Sequence, residues 1–325
     1  MNITILGAGA YALALAYRFN KNKKNRIIIW SKVESEIEEL SKTKMNSKAL
    51  PNVIMPSNII YTTNTQKALE GSNIVVLAVA TKFLSSVCYE IKPFVKDKHI
   101  VIASKGIEQE SNLFASQIVN NILKTKKICT ISGPTFAKDM VKDELVGLSI
   151  ATKNNVTKNA VIYSLSNELL KIRPTKDFLG VELCGTLKNV IALISGMLDG
   201  IGVCESTKAM YLTESINDTR HLIKKLGGNE KTILSYAGFG DILLTCTSTS
   251  SRNYTYGKMI GEKKSKKEID DYVNNNTIEG LYTLKSVYDL VKSKRVKIPF
   301  IDFVYDIVFN NRNSNDIYEF LRYKD

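Results

Sequence analysis

The sequence predicts an α/β protein: a doubly wound, largely parallel sheet in the first half, then an all-α domain. Three observations carry this. A glycine turn joins a short apolar stretch to a helical pattern in NITILGAGAYALALAYRF, positions 2–19. Continuous apolar runs, NIVVLAV (73–79) and HIVIASKG (99–106) among them, recur with room for helices in between, as strands buried on both faces do. These runs stop near residue 180 and helical patterns take over. Domains are therefore expected at 1–179 and 180–325.

At 325 residues the chain has room for two cores. Its 44% hydrophobic and 24% charged residues are ordinary for a soluble globular protein. The longest apolar run lies in Gly180–Gly202 and contains Lys188. Being shorter than the roughly 18 residues of a membrane helix, it predicts no membrane span. A first strand opening at Asn2 leaves no place for a secretory signal, so a cytoplasmic location is expected. The net charge of +13 comes from scattered lysines without interleaved aromatics. That pattern favours solvated faces and attraction of an anionic substrate over nucleic-acid binding. The five cysteines contain no CxxC pair and are odd in number, which argues against a disulfide framework or a zinc site. With only His99 and His221, a Ser-His-Asp triad, a metal cluster or a histidine base has little to draw on. No metal is expected.

Taken in order, Asn2–Leu6 reads as a strand and Tyr11–Phe19 as a helix, with GxGxxA between them at Gly7, Gly9 and Ala12. Gly7 makes the turn, Gly9 lets the backbone approach a pyrophosphate, and Ala12 allows close helix–strand packing. The helix N-terminus faces the phosphates. This is a dinucleotide-binding, Rossmann-type pattern. The second strand is RIIIW (26–30), followed by Ser31-Lys32 where an NAD-specific unit carries an acid. Lys32 could accept a 2′-phosphate, which tilts the reading toward tolerance of NADP. Val33–Leu40 reads as a helix and residues 46–59 as a long loop. Lys105 stands just past the strand at 99–106, and Pro134–Ala137 opens a helix after KICTISGP (127–134). Ligands of open α/β sheets sit at such strand ends, so Lys105 and the Gly133–Ala137 turn are candidate site elements. Gly147–Lys153 and Lys171–Thr175 read as late strands.

In the second half, GVELCGTLKNVIALISGMLDGIG (180–202) reads as a helix with two faces. Cys184, Gly185 and Ala192 share the face of Lys188, leaving space beside it; Leu187, Val190, Ile191 and Ile194 face a core. Such a lysine is either a catalyst poised by desolvation or a snorkelling side chain. AGFGDILLTCTSTSSRN (237–253) is glycine-rich and then hydroxyl-rich, with Asp241 and Arg252 its charges. Residues 274–287 read as a loop entering a helix, and the charged stretch at 261–276 as exposed.

With these segments placed, the chain resembles the NAD(P)-dependent glycerol-3-phosphate dehydrogenase family in its bacterial form. The resemblance rests on GAGAYALALA, SKGIE (104–108), SGPTFAKD (132–139), the 180–202 helix, 237–253 and TIEGLYTLKSV (277–287), in order over nearly the whole chain. It implies hydride exchange between NAD or NADP and the pair dihydroxyacetone phosphate and sn-glycerol 3-phosphate, in a cytoplasmic homodimer that supplies phospholipid synthesis. Lys188 corresponds to the catalytic lysine and Lys105 to a second lysine at the reacting end; two cations lower each other's pKa. Asn189 and Asp241 correspond to polar residues that position the carbonyl and hydroxyl groups. Arg252 and Asn253 correspond to the phosphate-binding pair, and an arginine fork suits a phosphate. Ser251, Gly133 and Thr135 correspond to further substrate contacts. Ala10, Tyr11, Ala137 and Glu279 fall on the cofactor side, which Lys105 and Arg252 share. Four places depart from the family pattern: Tyr11 for tryptophan, Ala80 for proline, Ser206 for asparagine, and Glu214-Ser215 for an Arg-Gly pair. The alternatives are a related two-domain NAD(P)-dependent dehydrogenase for another small anionic substrate, and a dinucleotide-binding sensor without turnover.

Overall fold

The computed structural model describes residues 1–310 and 312–323. The strands are β1 (Asn2–Leu6), β2 (Arg26–Trp30), β3 (Ile60–Thr62), β4 (Ile74–Leu77), β5 (His99–Ile102), β6 (Ile128–Ser132), β7 (Val146–Ala151) and β8 (Leu170–Thr175). They form one sheet in the order β3-β2-β1-β4-β5-β6-β7-β8. Pairing is parallel from β3 through β6, with β1 in register against β2 (Ile5 opposite Ile29) and against β4 (Ile5 opposite Val76). The strand order reverses about β1, and the crevice for a ligand lies beyond the strand ends at that point.

The helices of this part are α1 (Ala10–Lys21), α2 (Glu34–Thr43), α3 (Thr65–Leu69), α4 (Leu84–Ile91), α5 (Ala115–Leu123), α6 (Ala137–Met140) and α7 (Asn155–Leu165). Ile3, Ile5, Leu13, Ala16, Phe19, Ile27, Ile29 and Val76 share one core. The α/β expectation holds, with local differences. β3 and α3 escape a sequence reading, because three part-exposed residues make no apolar run. β7 runs antiparallel to β6, which a run of buried apolar residues does not reveal. β8 closes the edge, where Pro174 lacks a donor at little cost. Arg18 of α1 is fully buried and donates to the carbonyls of Lys142, Glu144 and Leu169 at 3.0, 3.0 and 3.2 Å. It thus fastens the β6–β7 connection to α1.

Two units divide the chain: 1–105 with 114–178, and 106–113 with 179–325. The second carries α8 (Phe178–Ile201), α9 (Glu205–Lys225), α10 (Asp241–Cys246), α11 (Arg252–Gly261), α12 (Lys266–Asn275), α13 (Glu279–Ser293), α14 (Pro299–Phe309) and α15 (Ile317–Tyr323). The segment 106–113 joins it through Gln109, whose side chain donates to the Tyr282 carbonyl at 3.2 Å.

α8 overturns two sequence expectations. It is not two-faced: from Gly180 to Leu198 every residue except Lys188 is buried, Cys184, Gly185 and Ala192 included. It is also longer than the apolar run suggests, because Glu182 and Lys188 do not interrupt it. At 24 residues it is long and apolar enough to cross a membrane, yet 83% of that apolar window is buried inside the protein. A helix apolar on all sides is a core helix. α11 crosses it backbone to backbone. Gly196 and Gly200 of α8 meet Gly257 and Gly261 of α11, at the four-residue spacing that lets helices touch. A Cβ at Gly257 would lie 1.9 Å from the Leu193 carbonyl oxygen. Where α8 ends, Asp199 accepts from Lys208 of α9 at 2.9 Å and from Lys258 of α11 at 2.8 Å. The bond from Lys258, aided by Lys208 and Tyr254, outweighs burial and brings the Asp199 carboxyl down from 3.8 to about 2.

Two predictions follow from this packing. Gly257→Ala forces α11 off α8 and should cost about 1–3 kcal/mol in urea unfolding. Asp199 has a folded pKa below its unfolded value, so its contribution is complete above pH 4 and fades as pH falls toward 2. Asp199→Asn should therefore lose about 1–2 kcal/mol less than the unsubstituted protein between pH 5 and pH 2.5.

Candidate active site

In the sheet unit, β1 ends in Gly7, whose φ of +120° is one an L side chain resists. Its N–H donates to the Trp30 carbonyl at 2.7 Å. A Cβ there would sit 2.6 Å from the Ala78 carbonyl oxygen, so turn and packing both demand glycine. Gly9 differs. Its φ is −71°, and a Cβ would meet nothing within 4 Å. Nothing in the protein itself requires glycine at position 9; the space before it is open. α1 starts at Ala10 with no side-chain cap and no acid in its first turn, while Ala12 is buried against the strand. A helix N-terminus without a side-chain cap and an open approach are what a pyrophosphate needs.

Three strand ends bring further residues to this turn. The Tyr11 hydroxyl shares a 3.2 Å hydrogen bond with Thr135 Oγ1. Lys105 Nζ lies 5.4 Å from the Tyr11 ring centroid, in cation–π range. Thr81 Oγ1 donates to the Lys105 carbonyl at 2.6 Å, and Gly106 turns the chain away with a φ of +117°. Thr135 Oγ1 also donates to the Gly133 carbonyl at 3.1 Å. Gly133 has a packing reason of its own, since a Cβ would come within 2.5 Å of the Gly147 carbonyl oxygen across β6 and β7. Ala137 opens α6 beside Thr135 and is part-buried. Lys32 follows β2 and is engaged: its Nζ lies 2.6 Å from Glu90 Oε2. No local pattern points to Glu90, which reaches Lys32 from α4, some sixty positions on.

In the helical unit, Lys188 Nζ donates to Asp241 Oδ1 at 2.6 Å, with the side chains 12% and 1% exposed. Asp241 is thus a buried acid. A tight turn at Tyr236–Gly240 delivers it, and a Cβ on Gly238 there would lie 2.2 Å from the Ile233 carbonyl oxygen. Asp241 then opens α10, where an acid suits the helix dipole. Cys246, one turn on, donates through Sγ to the Lys188 carbonyl at 3.7 Å. Burial pushes this thiol up to about 12, so it is inert. Beside Lys188, Asn189 donates from Nδ2 to Glu279 Oε2 at 3.1 Å and accepts on Oδ1 from Asn253 Nδ2 at 3.0 Å. Asn253 Oδ1 in turn accepts the Gly280 N–H at 2.8 Å. Ser251 caps α11 by accepting from the Tyr254 N–H at 3.3 Å, and Arg252, the first residue of that helix, is exposed. Lys188 with Asp241, and Asn189 with Asn253 and Glu279, therefore form two bonded clusters on adjacent positions of α8. Among the described residues no His, Cys, Asp and Glu cluster could hold a metal ion.

Known proteins resemble this chain over nearly its whole length. The family models for the N-terminus and C-terminus of NAD-dependent glycerol-3-phosphate dehydrogenase match residues 2–158 and 177–319. The chain belongs to this family. It is 32% identical to glycerol-3-phosphate dehydrogenase [NAD(P)+] of Fusobacterium nucleatum, over 100% of this chain and 97% of that one. Its counterpart in Clostridium tetani is 33% identical over 96% of this chain and 89% of that one. The crystal structure of glycerol-3-phosphate dehydrogenase from Coxiella burnetii superposes with a TM-score of 0.92 at 27% identity, covering 99% of both chains.

Three of the positions that depart from the pattern expected of the family have a plain local setting, and nothing in the structure explains Glu214. Ala80 has a φ of −61°, the value a proline ring imposes, without needing the ring. Ser215 is buried in α9, and its hydroxyl donates to the Tyr211 carbonyl at 2.9 Å. Tyr211 OH reaches the Ile191 carbonyl of α8 at 3.1 Å, so α9 is tied to the lysine helix at that level. Ser206 is exposed near the start of α9.

The space before Gly9 yields a prediction. Gly9→Ala should leave thermal unfolding within about 2 °C of the unsubstituted protein, since φ and space both permit the methyl group. The same change should weaken NADH binding, followed by nicotinamide fluorescence, by at least about tenfold, because the methyl group enters the path of the pyrophosphate.

Proposed function

We propose that this chain interconverts dihydroxyacetone phosphate and sn-glycerol 3-phosphate by hydride exchange with NAD(H) or NADP(H). The product supplies phospholipid synthesis. The protein works as a cytoplasmic homodimer, residues 1–179 binding the dinucleotide and 180–325 the substrate. The observation that carries this reading is the Lys188–Asp241 pair on α8, its acid buried and its lysine nearly so.

The reduced nicotinamide, when bound, supplies the hydride. The residues do the rest. Lys188, as an ammonium, donates a proton to the carbonyl oxygen as that oxygen gains charge, and takes it back in the reverse direction. Asp241 favours the charged lysine against the cost of burial and fixes where its protons point. Asn189 is held by Glu279 and Asn253, so its position is set before substrate arrives. Arg252 stands exposed at the start of α11, where its fork and the helix N-terminus suit a phosphate. Lys105, Gly133 and Thr135, all in the sheet unit, are the further substrate contacts that the family resemblance implies. Gly7, Gly9, Ala10, Tyr11, Ala12 and Ala137 hold the cofactor, with Lys32 at the adenosine end.

The test is oxidation of NADH on addition of dihydroxyacetone phosphate. Lys188→Gln should reduce kcat by about 10²–10⁴-fold while NADH still binds. Arg252→Ala should raise KM for dihydroxyacetone phosphate by about 10–100-fold, the worth of a charge-assisted phosphate contact. Full turnover in the Lys188 variant would remove that residue from the mechanism.

A further inference from the structure

The end of β2 is where a doubly wound unit reads the ribose 2′-position of its dinucleotide. Here it carries Ser31 and Lys32. The Ser31 hydroxyl is turned to Glu36 Oε2 at 2.7 Å and also accepts the Val33 N–H at 3.2 Å. Lys32 is the local cation, and it is occupied: Nζ lies 2.6 Å from Glu90 Oε2. Glu90 is anchored in turn, because its other oxygen accepts from Thr65 Oγ1 at the start of α3. Burial works against ionisation of Glu90, but the bonds from Lys32 and Thr65 outweigh it and keep the carboxyl below its usual value.

The charge balance decides which nucleotide this suits. The β2 end offers one lysine, bonded to Glu90, and one hydroxyl, bonded to a second carboxylate, Glu36. A free 2′-hydroxyl meets a neutral, hydrogen-bonding pair. A 2′-phosphate is a dianion: it must draw Lys32 from Glu90 and leave that carboxylate, held in place by Thr65, as a nearby like charge. An open Lys32 would favour the phosphorylated cofactor; a fastened one removes that advantage.

We propose that Glu90 is a positioning residue that sets cofactor selectivity: by fastening Lys32 it turns the β2 end toward a free 2′-hydroxyl, so the chain favours NAD(H) over NADP(H). This rests on the dinucleotide reading of the sheet unit. The experiment is direct binding of NADH and of NADPH, by nicotinamide fluorescence and by calorimetry, without substrate or turnover. The unsubstituted protein should bind NADH more tightly than NADPH. Glu90→Gln should raise the NADPH:NADH affinity ratio about two- to fivefold, the worth of a part-exposed charge pair released to a phosphate. Lys32→Gln in the Glu90→Gln background should remove most of that gain, leaving only the part due to the lost carboxylate charge, which a loss of fold would not do selectively. An unchanged ratio in Glu90→Gln, a gain that persists in full without Lys32, or tighter NADPH binding by the unsubstituted protein would each overturn the proposal. Failure of both nucleotides to bind the unsubstituted protein would instead defeat the dinucleotide reading, and the proposal with it.

Discussion

One buried ion pair orders the helical half of this protein. α8 is apolar around its whole circumference, and such a helix tolerates a lysine only if the charge is met. Asp241 meets it at 2.6 Å. Two buried charges of this kind hold each other at a net cost in hydration that the Coulomb term largely offsets, whereas removing one partner leaves an uncompensated charge costing roughly 3–5 kcal/mol. The surrounding features serve that pair. The tight turn at Tyr236–Gly240 delivers Asp241, Cys246 packs back on the Lys188 carbonyl, and Asn189 on the next position is locked between Glu279 and Asn253. A polar array this fully bonded is rigid, because any displacement breaks several hydrogen bonds at once.

The glycines divide by the reason they are there. Gly196, Gly200, Gly257 and Gly261 let two backbones touch, Gly133 lets β6 approach β7, and Gly7 adopts a left-handed φ under the Ala78 carbonyl. Each is demanded by the fold. Gly9 is not: its backbone is ordinary and the space around its Cα is open. A glycine with no structural duty, at the N-terminus of an uncapped helix, marks the place where something else comes close. The same logic separates the basic residues. Lys105 stands against the Tyr11 ring beside Thr135, whereas Lys32 is tied to a carboxylate. Their neighbours, not their own type, set what each can do.

Legibility from sequence followed the range of the interactions. GxGxxA, the apolar strands and the change of texture near residue 180 are local patterns, and each led to the right element. Lys188 could be singled out as a lone charge in an apolar run. Its partner, 53 positions away, could not be paired with it by spacing. The two-faced reading of α8 failed because periodicity describes one helix, while burial on every side depends on what packs around it. β3 and α3 carry too few apolar residues to show, and the reversed β7 reads like a parallel strand because both are buried on both faces.

The sequence by itself determined the α/β class, the dinucleotide turn, the helical second half and the lone lysine of the apolar helix, because all are written in contiguous residues. Only the tertiary structure decided that α8 is a core helix, that Asp241 is a buried partner and not a surface acid, that Asn253 is built into a chain of amides, and that Glu90 fastens Lys32. Those facts depend on contacts between positions far apart in the chain, which geometry brings together and no local pattern records.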